Sequence, residues 1–342
     1  MTRSGRLFIG LICLTASLSS AQTTTNVYIE PSRNLVRDLT QVSAGQAKWY
    51  GLDLEQGATV FADFKIEGGL NNKVVVWLLD DANLQRFLSR QPFQYFAGTS
   101  GEVRGVGRYK FQVPGTGHYN LVIDNGRAWF LPRNVNVYAY AVLPYKPTEI
   151  QQAEERLAKF YELLKSVFIF PDFAITIRHC GMENAFSNPN VTMCEELMET
   201  LTEQHREQGI DFVLFHELGH TLLRGWGLPS WDNEDVADEF ATVFMIMAHQ
   251  QSGAIAAAQW WASRGTREEA LSKLYVDDRH TVSPQRARNI LHWLSAQDDL
   301  VRRWQKVIIP NMQTPVLQHL LNDSSAGFDQ QTVESELRAR GN

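Results

Sequence analysis

Apolar and polar positions alternate at period two through the N-terminal third of the chain. Lys48–Leu54, Thr59–Ile66, Lys73–Leu79, Tyr109–Val113, Tyr119–Ile123 and Val135–Val142 alternate or run apolar over strand lengths. Between them stand Glu67-Gly68-Gly69, Pro114-Gly115-Thr116-Gly117 and Asp124-Asn125-Gly126, residue types that fix φ or tolerate left-handed backbone. Short strands so spaced predict an all-β sandwich over residues 22–145. Pro144-Tyr145-Lys146-Pro147-Thr148 reads as a linker, and beyond it the period changes. Ile150, Ala153, Leu157, Tyr161 and Leu164 share one helical face, with Thr148 as the cap. Ala174–Ile177 predicts a strand, Glu195–Glu207 a helix, and further helices follow to about residue 320. Strands followed by a run of helices define the α+β class. The second domain, residues 149–320, should be mostly helical with a small sheet, and 321–342 reads as a polar tail.

Within the helical part, Ile210–Phe215 leads without Gly or Pro into His216-Glu217-Leu218-Gly219-His220. On a helix, residues four apart lie one above the other, so His216 and His220 present two imidazoles to one point. That is the spacing a tetrahedral Zn²⁺ needs, and Glu217, one step round, can reach a water in an open coordination position. A catalytic zinc needs a third protein ligand. Gly225, Gly227 and Pro229 end the first helix; Asp232 or Asn233 can cap a second, whose stripe is Val236, Phe240, Val243 and Phe244. A turn between the two folds Glu234 back over the imidazoles. Asp238, four residues on, shares that face and could accept the free N–H of a ligating His, fixing its tautomer. One Zn²⁺ per chain, held by His216, His220 and Glu234, is the expectation. Asp235 and Glu239 point elsewhere on the helix.

His216-Glu217-x-x-His220 followed by Asn233-Glu234-x-x-x-Asp238 resembles the gluzincin metallopeptidases, of which thermolysin is the familiar member. The gap between His220 and Glu234 is shorter than in thermolysin. A closer resemblance is to a bacterial domain-of-unknown-function group regarded as metallopeptidases. Cys180–Phe186, Cys194–Leu197, His216–His220, Asp235–Ala241, Asp278-Arg279-His280 and Gln285-Arg286 carry it, over roughly residues 150–310. The resemblance implies a zincin-type domain and zinc-dependent hydrolysis of a peptide or protein substrate, expected to be endopeptidic. Glu217 would be the general base, taking a proton from water and passing it to the leaving amine. A donor must also stabilise the oxyanion: His280 is the candidate, with Asp277 or Asp278 to orient it, and Tyr275 is a weaker one. Asn184-Ala185 resembles the thermolysin edge strand that holds extended substrate by backbone pairing. Gln285 and Arg286 match the group's pattern without a derivable role. The N-terminal strands loosely resemble jelly-roll modules appended to secreted bacterial peptidases.

Composition changes the picture in three places. A net charge of −6 without a basic tract sets nucleic acid aside as a partner. Met1–Arg6, the apolar Leu7–Leu14 and Ser19-Ser20-Ala21 read as a signal peptide over residues 1–21, which implies a secreted or periplasmic protein with no membrane span after cleavage. Export would leave Cys180 and Cys194 as a pair, expected to form a disulfide around the turn Asn188-Pro189-Asn190; metal ligation by the thiols is the rival reading. Trp49, Tyr50, Trp77, Phe93, Tyr95 and Trp129 could make a glycan platform, although a sandwich core needs aromatics anyway. His179, His205, His249, His292 and His319 have no identifiable partner. Two other functions share the zinc ligands: a metal-binding scaffold without useful turnover, and a zinc hydrolase of a non-peptide amide.

Overall fold

A computed structural model describes residues 26–68, 72–128, 130–264, 283–323 and 327–341. They fall into two compact units, Glu30–Gln151 and Met1–Ile29 with Gln152–Asn342, in an α+β arrangement. The signal segment 1–21, Trp129, Tyr275, Asp277, Asp278 and His280 lie outside the described residues.

In the unit Glu30–Gln151, two four-stranded antiparallel sheets share one core. One runs in the order β2 (Ser32–Val42), β9 (Arg133–Val142), β4 (Thr59–Glu67), β7 (Val106–Gln112). The other runs β3 (Ala47–Leu54), β8 (Gly117–Asp124), β5 (Lys73–Asp80), β6 (Gly101–Arg104). The alternation explains the burial: Val60, Ala62, Phe64 and Ile66 of β4 and Val135, Val137, Ala139 and Ala141 of β9 all point into the core. A helix that period-two reading does not anticipate follows β5. In α1 (Asp81–Leu88), Asp80 caps the start by accepting from the Asn83 amide at 2.7 Å, and Leu84 is buried with Leu79 and Val122. Trp77, Phe87 and Phe93 pack around that small cluster, with Trp77–Phe93 and Phe87–Phe93 meeting edge to face at 85° and 89°. This is the geometry of packed rings rather than of a flat face for sugars, and it leaves the glycan expectation without support.

The second unit opens with β1 (Val27–Ile29), although its position in the chain groups it with the N-terminal strands. β1 runs parallel to β10 (Ile175–Arg178), which runs parallel to β12 (Val191–Cys194), and β11 (Ala185–Ser187) pairs antiparallel with β12. Val27, Ile175, Val191 and Met193 enter the core together with Leu157, Phe160, Tyr161 and Leu164 from α2 (Thr148–Val167). The strand partner of β1 is about 150 residues away, out of reach of any local pattern. α3 (Glu195–Glu203), α4 (Gly209–Gly225), α5 (Glu234–Met247) and α6 (Gln251–Arg264) follow. Helices Ser283–Ser295, Gln297–Ile308, Thr314–Asn322 and Gln330–Ala339 complete the described part. The last of these replaces part of the expected polar tail. Val333 and Leu337, one turn apart, are buried, and Arg340 donates to the carbonyls of Pro310 and Met312. Among the described residues no helix is long and apolar enough to cross a membrane.

Cys180 and Cys194 form a disulfide, with Cα atoms 5.4 Å apart, so the thiols are not metal ligands. The bond closes the segment that carries the β11–β12 hairpin, whose turn is held by the Asn188 amide donating to Asn190. Beside it lies a charged cluster that the sequence did not disclose. His179 is buried, with Nε2 2.7 Å from Glu195 Oε2 and Nδ1 3.6 Å from Glu196 Oε1. Glu196 accepts in turn from the amides of Cys180 and Gly181. Burial alone would push the His179 pKa down, but the two carboxylates overcome it and raise it to about 9. Glu196 is pushed up by burial, yet His179 and the backbone donors hold it below its ordinary value. While its carboxylate partners are ionised, His179 therefore stabilises the fold in full up to about pH 6.5 and loses that contribution as pH rises through about 9, by an amount on the order of 3 kcal/mol. Chemical denaturation from pH 6 to pH 10 should show this decline, and His179→Gln should flatten it; an equal slope in both proteins would refute the assignment.

Candidate metal centre

The centre is built on the crossing of α4 and α5. α4 is apolar on nearly every face because it is buried among α2, α5 and α6, with Phe212, Phe215, Leu218 and Leu222 fully packed. Phe215 stacks on Phe244 of α5 with ring centroids 5.3 Å apart, and Phe240 and Phe244 lie 4.5 Å apart. Gly219 makes the close approach possible: a Cβ there would lie 3.1 Å from Phe240 Cδ1. Asn233 starts α5, its side chain accepting from the amides of Asp235 and Val236 at 2.9 and 3.3 Å. Glu234 is thus placed in the first turn, facing α4.

Three donor side chains converge. His216 Nε2 and His220 Nε2 are 3.2 Å apart, and Glu234 Oε2 and Oε1 lie 3.2 and 3.4 Å from them respectively. A tetrahedral ion with bonds of about 2.0–2.1 Å separates its ligand atoms by roughly 3.3 Å, so the spacing fits one small ion. His216, His220 and Glu234 could hold a metal, and all three are buried. The outer nitrogens are engaged as well. His216 Nδ1 lies 2.8 Å from Asp238 Oδ1, and His220 Nδ1 lies 2.6 Å from the carbonyl of Trp231, to which it can only donate. Both hydrogen bonds put the proton on Nδ1 and leave Nε2 free as a ligand.

Electrostatics follow from burial. Burial would lower the His216 pKa, but Asp238 and Glu234 outweigh it and raise it to about 10, with Arg286 opposing. Glu217 is buried beside the ligands, and burial pushes its carboxyl pKa up while both imidazoles pull it down. Asp238 is pushed up by burial but lies below its ordinary value, because Arg286 and His216 favour its charged form. Arg286 is a participant that sequence reading left without a role. Its Nε and Nη2 both donate to the Asp238 carboxylate at 2.7 Å, and Nη1 is 3.3 Å from Glu234 Oε2. The only sequence signal for it was its place beside Gln285 in the pattern of the resembled group.

Other residues singled out from the sequence lie nearby. Ala185 is buried in β11 and pairs with Met193, while Asn184 precedes the strand and its carbonyl accepts from the Cys194 amide at 3.2 Å. β11 is the last strand of its sheet among the described residues. Ser187 Oγ and Thr221 Oγ1, 2.7 Å apart, tie it to α4 immediately after His220. Asp235 accepts from Asn289, and Glu239 from Arg303 and Trp304, so neither joins the centre.

The fold and site define a helix-pair centre with two imidazoles and one carboxylate available to a metal. Residues 146–303 match the sequence model of a family described as "Putative metallopeptidase", which supports a metal-dependent peptidase and peptide hydrolysis as its chemistry. No curated protein matches the chain. Several solved structures match part of it, two of them as follows. One is described as "CBM4 structure and function", 10% identical over 32% of this chain and 79% of its own, with a TM-score of 0.24. The other is PliG of Aeromonas hydrophila, a periplasmic lysozyme inhibitor of g-type lysozyme, 16% identical over 33% of this chain and 96% of its own, with a TM-score of 0.22. At such scores neither carries an argument.

Two outcomes are expected. The wild type should take up one equivalent of Zn²⁺ by elemental analysis after dialysis, whereas His216→Ala and Glu234→Ala should retain little; equal metal in all three would overturn the ligand set. Gly219→Val should lower stability by about 1–3 kcal/mol through overpacking against Phe240. Gly219→Ala should cost less, since its better helix propensity offsets part of the strain; thermal melts would contradict this packing account if both left stability unchanged.

Proposed function

We propose that the protein is an exported, zinc-dependent, gluzincin-like endopeptidase in which Glu217 acts as general base. The observation that carries this reading is the convergence of His216, His220 and Glu234 at tetrahedral spacing with a buried carboxylate, Glu217, adjacent on the same helix. Bound zinc would supply Lewis-acid chemistry, lowering the pKa of a coordinated water to about 7 and polarising the scissile carbonyl. Zinc is favoured by a donor set of two imidazoles and one carboxylate.

The chain's own residues divide the work. Asp238 and the Trp231 carbonyl hold the two imidazoles. Glu217 takes the proton from the attacking water and returns it to the leaving amine. Burial raises its pKa, which suits a base that must also carry a proton as an acid. β11 presents its outer edge beside α4, where an extended peptide can pair with backbone N–H and C=O groups, with Asn184 and Ala185 at the strand's start. An exported location fits the Cys180–Cys194 disulfide, which persists in an oxidising compartment. The domain Glu30–Gln151 is then an accessory module.

Glu217→Gln is the deciding variant. It should keep zinc at wild-type stoichiometry and lose at least about a hundredfold in chelator-sensitive cleavage of an unfolded protein such as casein. Cleavage at the wild-type rate would refute Glu217 as base, and zinc-loaded wild type that cleaves no peptide would refute the peptidase reading.

A further inference from the structure

Arg286 is buried and serves two carboxylates at once. Its guanidinium makes a two-pronged fork on Asp238, and its remaining nitrogen faces Glu234. Its flat face lies against the Trp261 ring, 4.1 Å from guanidinium carbon to ring centroid. The side chain thereby joins three helices, since Trp261 belongs to α6, Asp238 and Glu234 to α5, and Arg286 to Ser283–Ser295.

A plain structural ion pair would end at Asp238, but this one continues to a ligand. Asp238 Oδ1 is shared between Arg286 Nη2 at 2.7 Å and His216 Nδ1 at 2.8 Å. Two parallel N–H···O bonds fix the plane of a carboxylate, which single-point bonding does not. Held in that plane, Oδ1 points at Nδ1 and the opposite nitrogen of the ring faces Glu234 and His220. Charge gives a second, independent reason. Glu217, Glu234 and Asp238 are three carboxylates buried in one small volume, and burying unbalanced charge is costly. One dication balances two of them, and Arg286 balances the third.

We propose that Arg286 is a positioning residue of the metal centre: it locks Asp238 against His216 and supplies the cation that lets three carboxylates share the site with a single divalent ion. The inference rests on the metal-centre reading and does not require that the protein cleave peptides.

The test is a double-mutant cycle read on Zn²⁺ affinity, by competition with a chromogenic chelator. Arg286→Met and Asp238→Asn should each weaken Zn²⁺ binding by about 10–100-fold, and the double variant should bind no more weakly than the worse single one. Arg286→Lys keeps the charge but cannot make the fork, so it should fall between wild type and Arg286→Met. Where Arg286→Met does not fold, Arg286→Lys with Asp238→Asn completes the same cycle. Loading with Co²⁺ gives a readout that a mere staple between helices would not move: the visible absorption of the Arg286→Lys protein should differ from wild type. Wild-type affinity and an unchanged Co²⁺ spectrum in the Arg286 variants, or losses that multiply in the double variant, would overturn the proposal. Wild type that binds no Zn²⁺ would sink the metal-centre reading with it. Tight Zn²⁺ binding without proteolysis would remove only the peptidase reading, and the affinity cycle would still decide the role of Arg286.

Discussion

The centre of this protein depends on how ionisable groups can be kept out of water. His216, His220, Glu217, Glu234, Asp238 and Arg286 are all buried, and isolated charges in such surroundings would cost several kcal/mol each. The arrangement answers that cost with partners. His216 is bonded to Asp238, Asp238 to Arg286, and Arg286 lies against Glu234 and the face of Trp261. His220 is bonded to a backbone carbonyl instead. The two candidate ligand histidines therefore differ in electronic surroundings: the outer nitrogen of one is backed by an anion, that of the other by a neutral dipole. On the outer nitrogens, then, only His216 has a carboxylate partner.

Packing fixes the geometry that the charges require. α4 and α5 approach closely because Gly219 offers no side chain toward Phe240, and the aromatic contacts from Phe215 through Phe244 to Phe240 hold the crossing. Interiors packed this tightly resist small displacements, so ligand atoms placed 3.2–3.4 Å apart stay near the spacing a small ion needs. The hairpin β11–β12 is held from both ends. Ser187 is bonded to Thr221 of α4, and the Cys180–Cys194 bond with the His179–Glu195–Glu196 cluster anchors the far side. The same unit thus carries a rigid candidate centre and, next to it, a braced strand edge. These are the two features a peptidase of the proposed kind would use.

What the sequence determined by itself was local. Helix geometry alone puts His216 and His220 on one face, and a cap at Asp232 or Asn233 with acids after it marks where the next helix starts and Glu234 falls; the structure makes Asn233 the cap. Period-two alternation marked the strands of the Glu30–Gln151 unit, and the expectation of export pointed to the pairing of the two cysteines. These inferences succeed because each rests on periods or caps within a few residues.

The tertiary structure decided whatever joins distant positions. Val27–Ile29 completes the sheet of the second unit through β10, about 150 residues on, and short strands carry too little pattern to name their partners. Arg286 reaches Asp238 across 48 residues, and His179 finds Glu195 and Glu196 through the parallel pairing of β10 with β12. The helix Asp81–Leu88 and the C-terminal helix Gln330–Ala339 were hidden for a related reason. Each buries only one or two apolar side chains, a signal weaker than the polar residues around it. A sequence states which groups are available and how they repeat. Which charge neutralises which is settled only when the chain folds back on itself and removes them from water.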